Sequence, residues 1–154
     1  MNPVPLLVRP AGPSDVDTLA AFNVAMALET ESLALDLDTV RRGVAAMLAD
    51  PAKGSYRVAT RDGAVVGQLM ITTEWSDWRC GWWWWIQSVY VAPEARRGGV
   101  YRALYQSVVD DAARAGDVHG LRLYVEQDNL RAQQTYQALG MARGKYVVFE
   151  TGHE

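Results

Sequence analysis

Apolar positions along this chain change their spacing several times, and each change marks an element. Leu6-Leu7-Val8 before Arg9 is a short apolar run and predicts a strand. Behind Pro13-Ser14-Asp15, the residues Leu19, Phe22 and Met26 recur three and four apart, which predicts a helix capped by Ser14 or Asp15. Glu29 to Leu33 reads as a connection, and Asp38 opens a second helix that carries Val40, Val44, Met47 and Leu48 until Asp50-Pro51 stops it. From Ser55 to Thr60 the period drops to two, with Tyr56 and Val58 on one side. Arg61-Asp62-Gly63 is a hairpin turn, and Val65 to Thr72 returns antiparallel.

Glu74 to Arg79 reads as a turn, followed by a long fourth strand from Gly81 to Val91 with Trp82, Trp83, Trp84 and Trp85 in succession. Alternation sends Trp82 and Trp84 to one face and Trp83 and Trp85 to the other. Large rings on both faces predict a central strand covered on both sides, with one or two rings left to wall a cleft. Beyond Gly98-Gly99, Val100, Leu104 and Val108 form a helix face that runs to Ala115 and Gly116. Leu121 to Glu126 reads as a fifth strand, Asn129 to Leu139 as a helix closed by Gly140, and Lys145 to Glu150 as a final strand. The order β-α-α-β-β-β-α-β-α-β predicts an α/β (α+β) chain with a mixed sheet and helices on both faces.

With 154 residues and 49% hydrophobic content, one domain with its own core over 1–154 is expected. A net charge of −3 and a pI near 5.4 give no general basic field, so neither nucleic acid nor an anionic membrane is an expected partner. The start, Met1 to Arg9, is short and broken by proline, which speaks against a signal peptide and for a cytoplasmic protein. Cys80 is the single cysteine, and His119 and His153 are the only histidines, so neither a disulfide nor a metal site is expected.

The candidate chemistry lies where the fourth strand meets the next helix. A helix that opens on Arg96-Arg97-Gly98-Gly99 presents unpaired N–H groups at the positive end of its dipole, with no side chain in the way. An ordinary βα connection with a solvated arginine pair would read the same. The order Val91-x-Pro93-x-x-Arg96-Arg97-Gly98-Gly99-Val100, however, resembles the acyl-CoA loop of the GNAT superfamily of N-acetyltransferases. Asn129-x-x-Ala132-x-x-x-Tyr136-x-x-x-Gly140-Met141 resembles the second signature of the same superfamily. Tyr101 departs from the pattern, standing where relatives carry Gly or Ala. The sheet also has one strand fewer after the last helix than is usual in these proteins, an open edge that a second subunit would cover as a homodimer.

The resemblance implies roles residue by residue. The amides of Arg97, Gly98, Gly99 and Val100 would cradle the diphosphate of acetyl-CoA, with Arg96, Arg97 and Arg102 adding charge and Tyr101 in the first helical turn. Val89 and Val91 would pair with the pantetheine arm and polarise the acetyl carbonyl. Asn129 would contact the same arm, and it also suits a helix N-cap. Tyr136 matches the tyrosine that protonates the departing thiolate, and it suits a packing role as well. Gln87 stands where many relatives place a basic glutamate, and an amide cannot take a proton. Glu74, Glu31 and Glu126 are the carboxylates left to serve as base, and each also reads as an ordinary surface carboxylate.

Acetyl transfer from acetyl-CoA to a primary amine, without a metal, is the activity the resemblance implies. Glu29, Glu31, Glu74 and Asp77 beside the tryptophans favour a small cationic amine. A non-catalytic acyl-CoA-binding regulatory domain and a protein or peptide N-acetyltransferase are the alternatives.

Overall fold

The period-two segments pair into one sheet whose strands lie side by side in chain order: β1 (Leu6–Pro10), β2 (Ser55–Arg61), β3 (Ala64–Ser76), β4 (Gly81–Val91) and β5 (Val118–Leu123). The structure is a computed structural model and describes residues 4–152. Met1 to Pro3, used above in reading the start, and His153 lie outside them. β1 to β4 run antiparallel and β5 joins β4 in parallel. Asp62 (φ 54°) and Gly63 (φ 77°) make the tight β2–β3 turn, the paired left-handed geometry that matches strand twist.

Three helices cover this sheet: α1 (Val16–Glu31) and α2 (Leu37–Ala49) on one face, α3 (Val100–Ala115) on the other. On the first face Tyr56 and Val58 pack with Leu19 and Val44. On the second, Ala59, Leu69, Ile71 and Ile86 meet Val100, Leu104 and Val108. Gly67 sets the distance on that side, because a Cβ there would lie 2.7 Å from Val100 Cγ1. Leu104 is fully buried, and trimming it to Ala would cost about 2–5 kcal/mol.

Several boundaries differ from expectation for local reasons. Asp36, not Asp38, caps α2, its carboxylate accepting from Thr39 N at 3.0 Å. α1 continues to Glu31 and ends where Ser32 turns left-handed (φ 51°), so Glu31 is helical rather than in a loop. β3 extends through Glu74 to Ser76 because the β4 tryptophans supply partners: Glu74 pairs with Trp83 and Trp75 with Trp82. The tryptophans split faces as alternation requires, but their cover is unequal. Trp84 joins the α3 core, whereas Trp83 is covered by the guanidinium of Arg122, 3.6 Å from its ring centroid, and by His119.

Compactness divides the chain after Leu123. β5 ends there, so Tyr124 and Glu126 fall outside the strand expected at Leu121 to Glu126. In the second unit, α4 (Leu130–Ala138) is capped by Asn129, whose Oδ1 accepts from Ala132 N at 3.1 Å. Gly140 (φ 93°) turns its end, with Met141 N donating to Tyr136 O. The final strand expected at Lys145 to Glu150 does not form. Tyr146 to Phe149 have strand-forming side chains, but no ladder among the described residues includes them, and without a partner strand propensity does not make a strand.

Candidate active site

Between β3 and β4 the register skips. Gln68 pairs with Tyr90 but Met70 pairs with Gln87, so β4 takes three steps where β3 takes two. Ser88 carries the extra residue in a left-handed conformation (φ 49°), an unfavourable state for a residue with a Cβ. A buried polar chain holds it. Gln68 Nε2 donates to the Ser88 carbonyl at 2.9 Å and to Asn23 Oδ1 at 2.8 Å, and Asn23 Nδ2 donates to the Tyr56 hydroxyl at 3.0 Å. Three elements thus fix one bulge.

On its other side β4 loses its neighbour at the same place. The parallel pairing with β5 ends at Ile86 and Leu123, while β4 runs on to Val91. The backbone of Gln87 to Val91 therefore has no β5 partner. The side chains of Val89 and Val91 pack into the α3 core, which leaves main-chain groups as what this stretch can offer a ligand.

The loop that follows leaves main-chain N–H groups open at the start of a helix. After the turn Pro93–Ala95, Arg97 (φ 67°) and Gly99 (φ 80°) are both left-handed, and α3 starts at Val100 with no side-chain cap. Its first amides stay unpaired, and a Cβ on Gly99 would meet nothing within 4 Å. Arg96 is less available than its sequence suggests: Nε donates to Val91 O at 3.0 Å and Nη2 to Glu29 Oε2 at 2.7 Å. It ties the loop to the end of α1. Glu29 also accepts from the Tyr90 hydroxyl at 3.2 Å, and burial together with this carboxylate raises the phenol above its ordinary range, so it stays a donor. Arg61 supplies a cation that sequence reading missed, with Nη2 donating to Gly98 O at 3.3 Å.

The proposed carboxylates differ sharply in setting. Glu74 accepts from Trp85 Nε1 at 3.1 Å and from Arg122 Nη1 at 3.4 Å. Its partner Trp83 lies five residues from Ser88 on β4, roughly 17 Å at ~3.3 Å per residue. Glu31 lies in the last turn of α1 and lines a cavity of about 380 Å³ that Ser88 also lines. No ion pair among the described residues engages Glu31. Gln87 donates to Thr72 Oγ1 at 2.5 Å.

The profile of the Acetyltransferase (GNAT) family matches residues 23–141, from Asn23 in α1 through both motifs. The chain belongs to the GNAT acetyltransferase family. It is similar, at 42% identity over 97% of this chain and 98% of the other, to a possible acetyltransferase from Clostridium difficile 630, with a TM-score of 0.92. Two further structures share the fold at lower identity. One is a GCN5-related N-acetyltransferase from Ralstonia eutropha JMP134, at 20% identity over 96% and 99% of the chains, TM-score 0.79. The other is a ribosomal-protein-alanine N-acetyltransferase from Brucella melitensis biovar Abortus 2308, at 15% over 97% and 100%, TM-score 0.78. No curated protein matches.

Membership makes the protein an acyltransferase whose family uses acetyl-CoA as donor. The first unit brings the GNAT loop, the bulge and Glu31 to one end of β4, and it leaves Glu74, on β3 opposite Trp83, toward the other end of that strand. In the second unit Asn129 caps α4, and Tyr136 sits on that helix two turns further on. No helix among the described residues is long and apolar enough to cross a membrane. No group of His, Cys, Asp and Glu suited to a metal ion occurs among the described residues. Asn23 and Gln68 were missed in the sequence, although each is a polar residue set in an apolar run, the mark of a satisfied buried group.

Proposed function

We propose that this GNAT protein transfers the acetyl group of acetyl-CoA to a small primary amine that is cationic in solution, by direct attack with both substrates bound. The observation that carries the reading is the held bulge at Ser88 beside an open stretch of β4, one residue before Val89 and nine before Arg97. In this reading the main chain of Val89 and Val91 pairs with the pantetheine arm, and the Val89 N–H steadies the oxyanion. Arg97 to Val100 cradle the diphosphate, with Arg96 bracing the loop, Tyr101 in the first turn, and Asn129 on the arm. Tyr136 returns a proton to the leaving thiolate.

An aliphatic ammonium with a pKa near ~10.4 is unprotonated only about once in a few thousand molecules at pH 7, so a base is needed. Glu31 suits that task better than Glu74. It lines the cavity at the bulge, and it occupies the negative end of a helix dipole, where a carboxylate gains nothing structurally. Glu29 and Glu74, by contrast, have their charge met by Arg96 and Arg122. Direct attack is supported by Cys80, which is exposed and lies eight residues from Ser88, roughly 26 Å along the strand, out of reach as an acyl carrier. The same reading includes a cytoplasmic setting and a homodimer, the latter supported by β5 as the outermost strand of the sheet.

The test is thiol release from acetyl-CoA with a panel of amines, amino acids and peptides. Tyr136→Phe is expected to lower turnover by roughly ten- to a thousandfold while acetyl-CoA affinity holds. Absence of acceptor-dependent thiol release across the panel would sink the transferase reading for amines, and an unimpaired Phe variant would remove Tyr136 from the chemistry.

A further inference from the structure

We infer that the acceptor carries its amine on an apolar body, an alkyl chain or an aromatic ring, seated in the cavity between α1, α2 and the sheet; this rests on the transferase reading above. The cavity holds about 380 Å³, within the usual range of small-ligand sites. Its walls are Met26 on α1, Met47 and Val40 on α2, Met70 on β3, and Leu33 and Leu35 from the connection. Three methionines from three elements make a surface that is apolar and adjustable in shape. Ser88 and Glu31 supply polar atoms in the same lining, so a body buried here places its nitrogen beside the bulge and a carboxylate.

α2 carries a further sign that this space is kept open. Gly43 stands in the middle of that helix, where glycine is about 1 kcal/mol worse than alanine. No positive φ accounts for it, and a Cβ there would meet nothing within 4 Å. Gly43 lines the cavity. A side chain at this position would project where the ligand body is needed, so the missing Cβ trades helix stability for room.

An apolar wall also changes how the acidic residues Glu29, Glu31 and Glu74 bear on specificity. In diamines and polyamines a second ammonium set against these methionines would lose water without gaining a carboxylate partner, so they fit less well. Glu31 can meet one charge. The acceptor is therefore a monoamine with a hydrophobic tail.

The experiment measures kcat/KM for a series of n-alkylamines from propylamine to hexylamine, with 2-phenylethylamine, ethanolamine and 1,4-diaminobutane beside them. Each added methylene is expected to raise kcat/KM two- to fourfold, in line with the transfer energy of a buried CH₂. Gly43→Met should lower the hexylamine-to-propylamine ratio at least tenfold while the protein stays folded by circular dichroism. A flat series, a preference for ethanolamine or 1,4-diaminobutane, or a ratio unmoved in Gly43→Met would overturn the inference with the transferase reading intact. If no amine turns over, calorimetric titration of hexylamine into the protein with CoA decides the pocket separately: binding lost in Gly43→Met upholds it, and absence of binding to the unaltered protein refutes it.

Discussion

At the scale of single residues, the most telling group is Gln68. It is fully buried, and its side-chain nitrogen links α1 to the carbonyl of a strained residue on β4. Glutamine is almost never placed in a sheet interior for packing alone, since leucine would fill the space without a polar cost. Its effect is on the direction of the Ser88 peptide, and through it on the Val89 N–H that follows. Gln68→Leu removes both bonds and leaves Asn23 and the Ser88 carbonyl short of a partner, at about 1–3 kcal/mol of stability. Turnover should fall at least tenfold in that variant, with acetyl-CoA affinity changed less than threefold because the loop at Arg97 to Val100 is untouched. Gln68→Met, which keeps the length but has no donor, should share the defect. A Leu variant that is destabilised yet turns over normally would make the chain of bonds purely architectural.

At the scale of elements, the loop and the bulge were legible to different degrees. Glycines, arginines and a proline spell out the loop, and Gly99 in it is left-handed with open space around it. The bulge left no such mark. It lies in Ile86-Gln87-Ser88-Val89, an unbroken strand pattern, and arises from register with β3, a pairwise property absent from either strand alone. The end of β3 was misjudged for the same reason, since Glu74 becomes strand only because Trp83 stands opposite. Boundaries set by partners are hidden from a single segment, whereas caps and turns such as Asp62-Gly63 are local and readable. The loop also yields a direct test. Gly99→Glu would place a carboxylate in the cradle and force a residue with a Cβ into φ 80°, so acetyl-CoA affinity should drop at least tenfold by calorimetry. Unchanged affinity in a folded variant would move the diphosphate elsewhere.

For the whole molecule, the open question is what becomes of the apolar segment near the C-terminus. Tyr146, Val147, Val148 and Phe149 are 70%, 78%, 58% and 93% exposed, a cost in water that a strand partner would relieve. The segment Lys145-Tyr146-Val147-Val148-Phe149-Glu150 is self-complementary when two copies run antiparallel about a two-fold axis. Lys145 then faces the partner's Glu150, Tyr146 the partner's Phe149, and Val147 the partner's Val148. Opposite charges and aromatic pairs are the cross-strand contacts that stabilise an antiparallel ladder, each at ~0.2–1 kcal/mol. Symmetry makes every contact occur twice. Light scattering at micromolar concentration is therefore expected to give twice the 17.0 kDa of one chain. Lys145→Glu sets two like-charged pairs across the axis and should raise the dimer dissociation constant at least fivefold. The double reversal Lys145→Glu with Glu150→Lys should bring it back, which a simple loss of surface charge would not do. A particle of 17.0 kDa at every concentration, or a dimer indifferent to both variants, would exclude this ladder as the contact between copies.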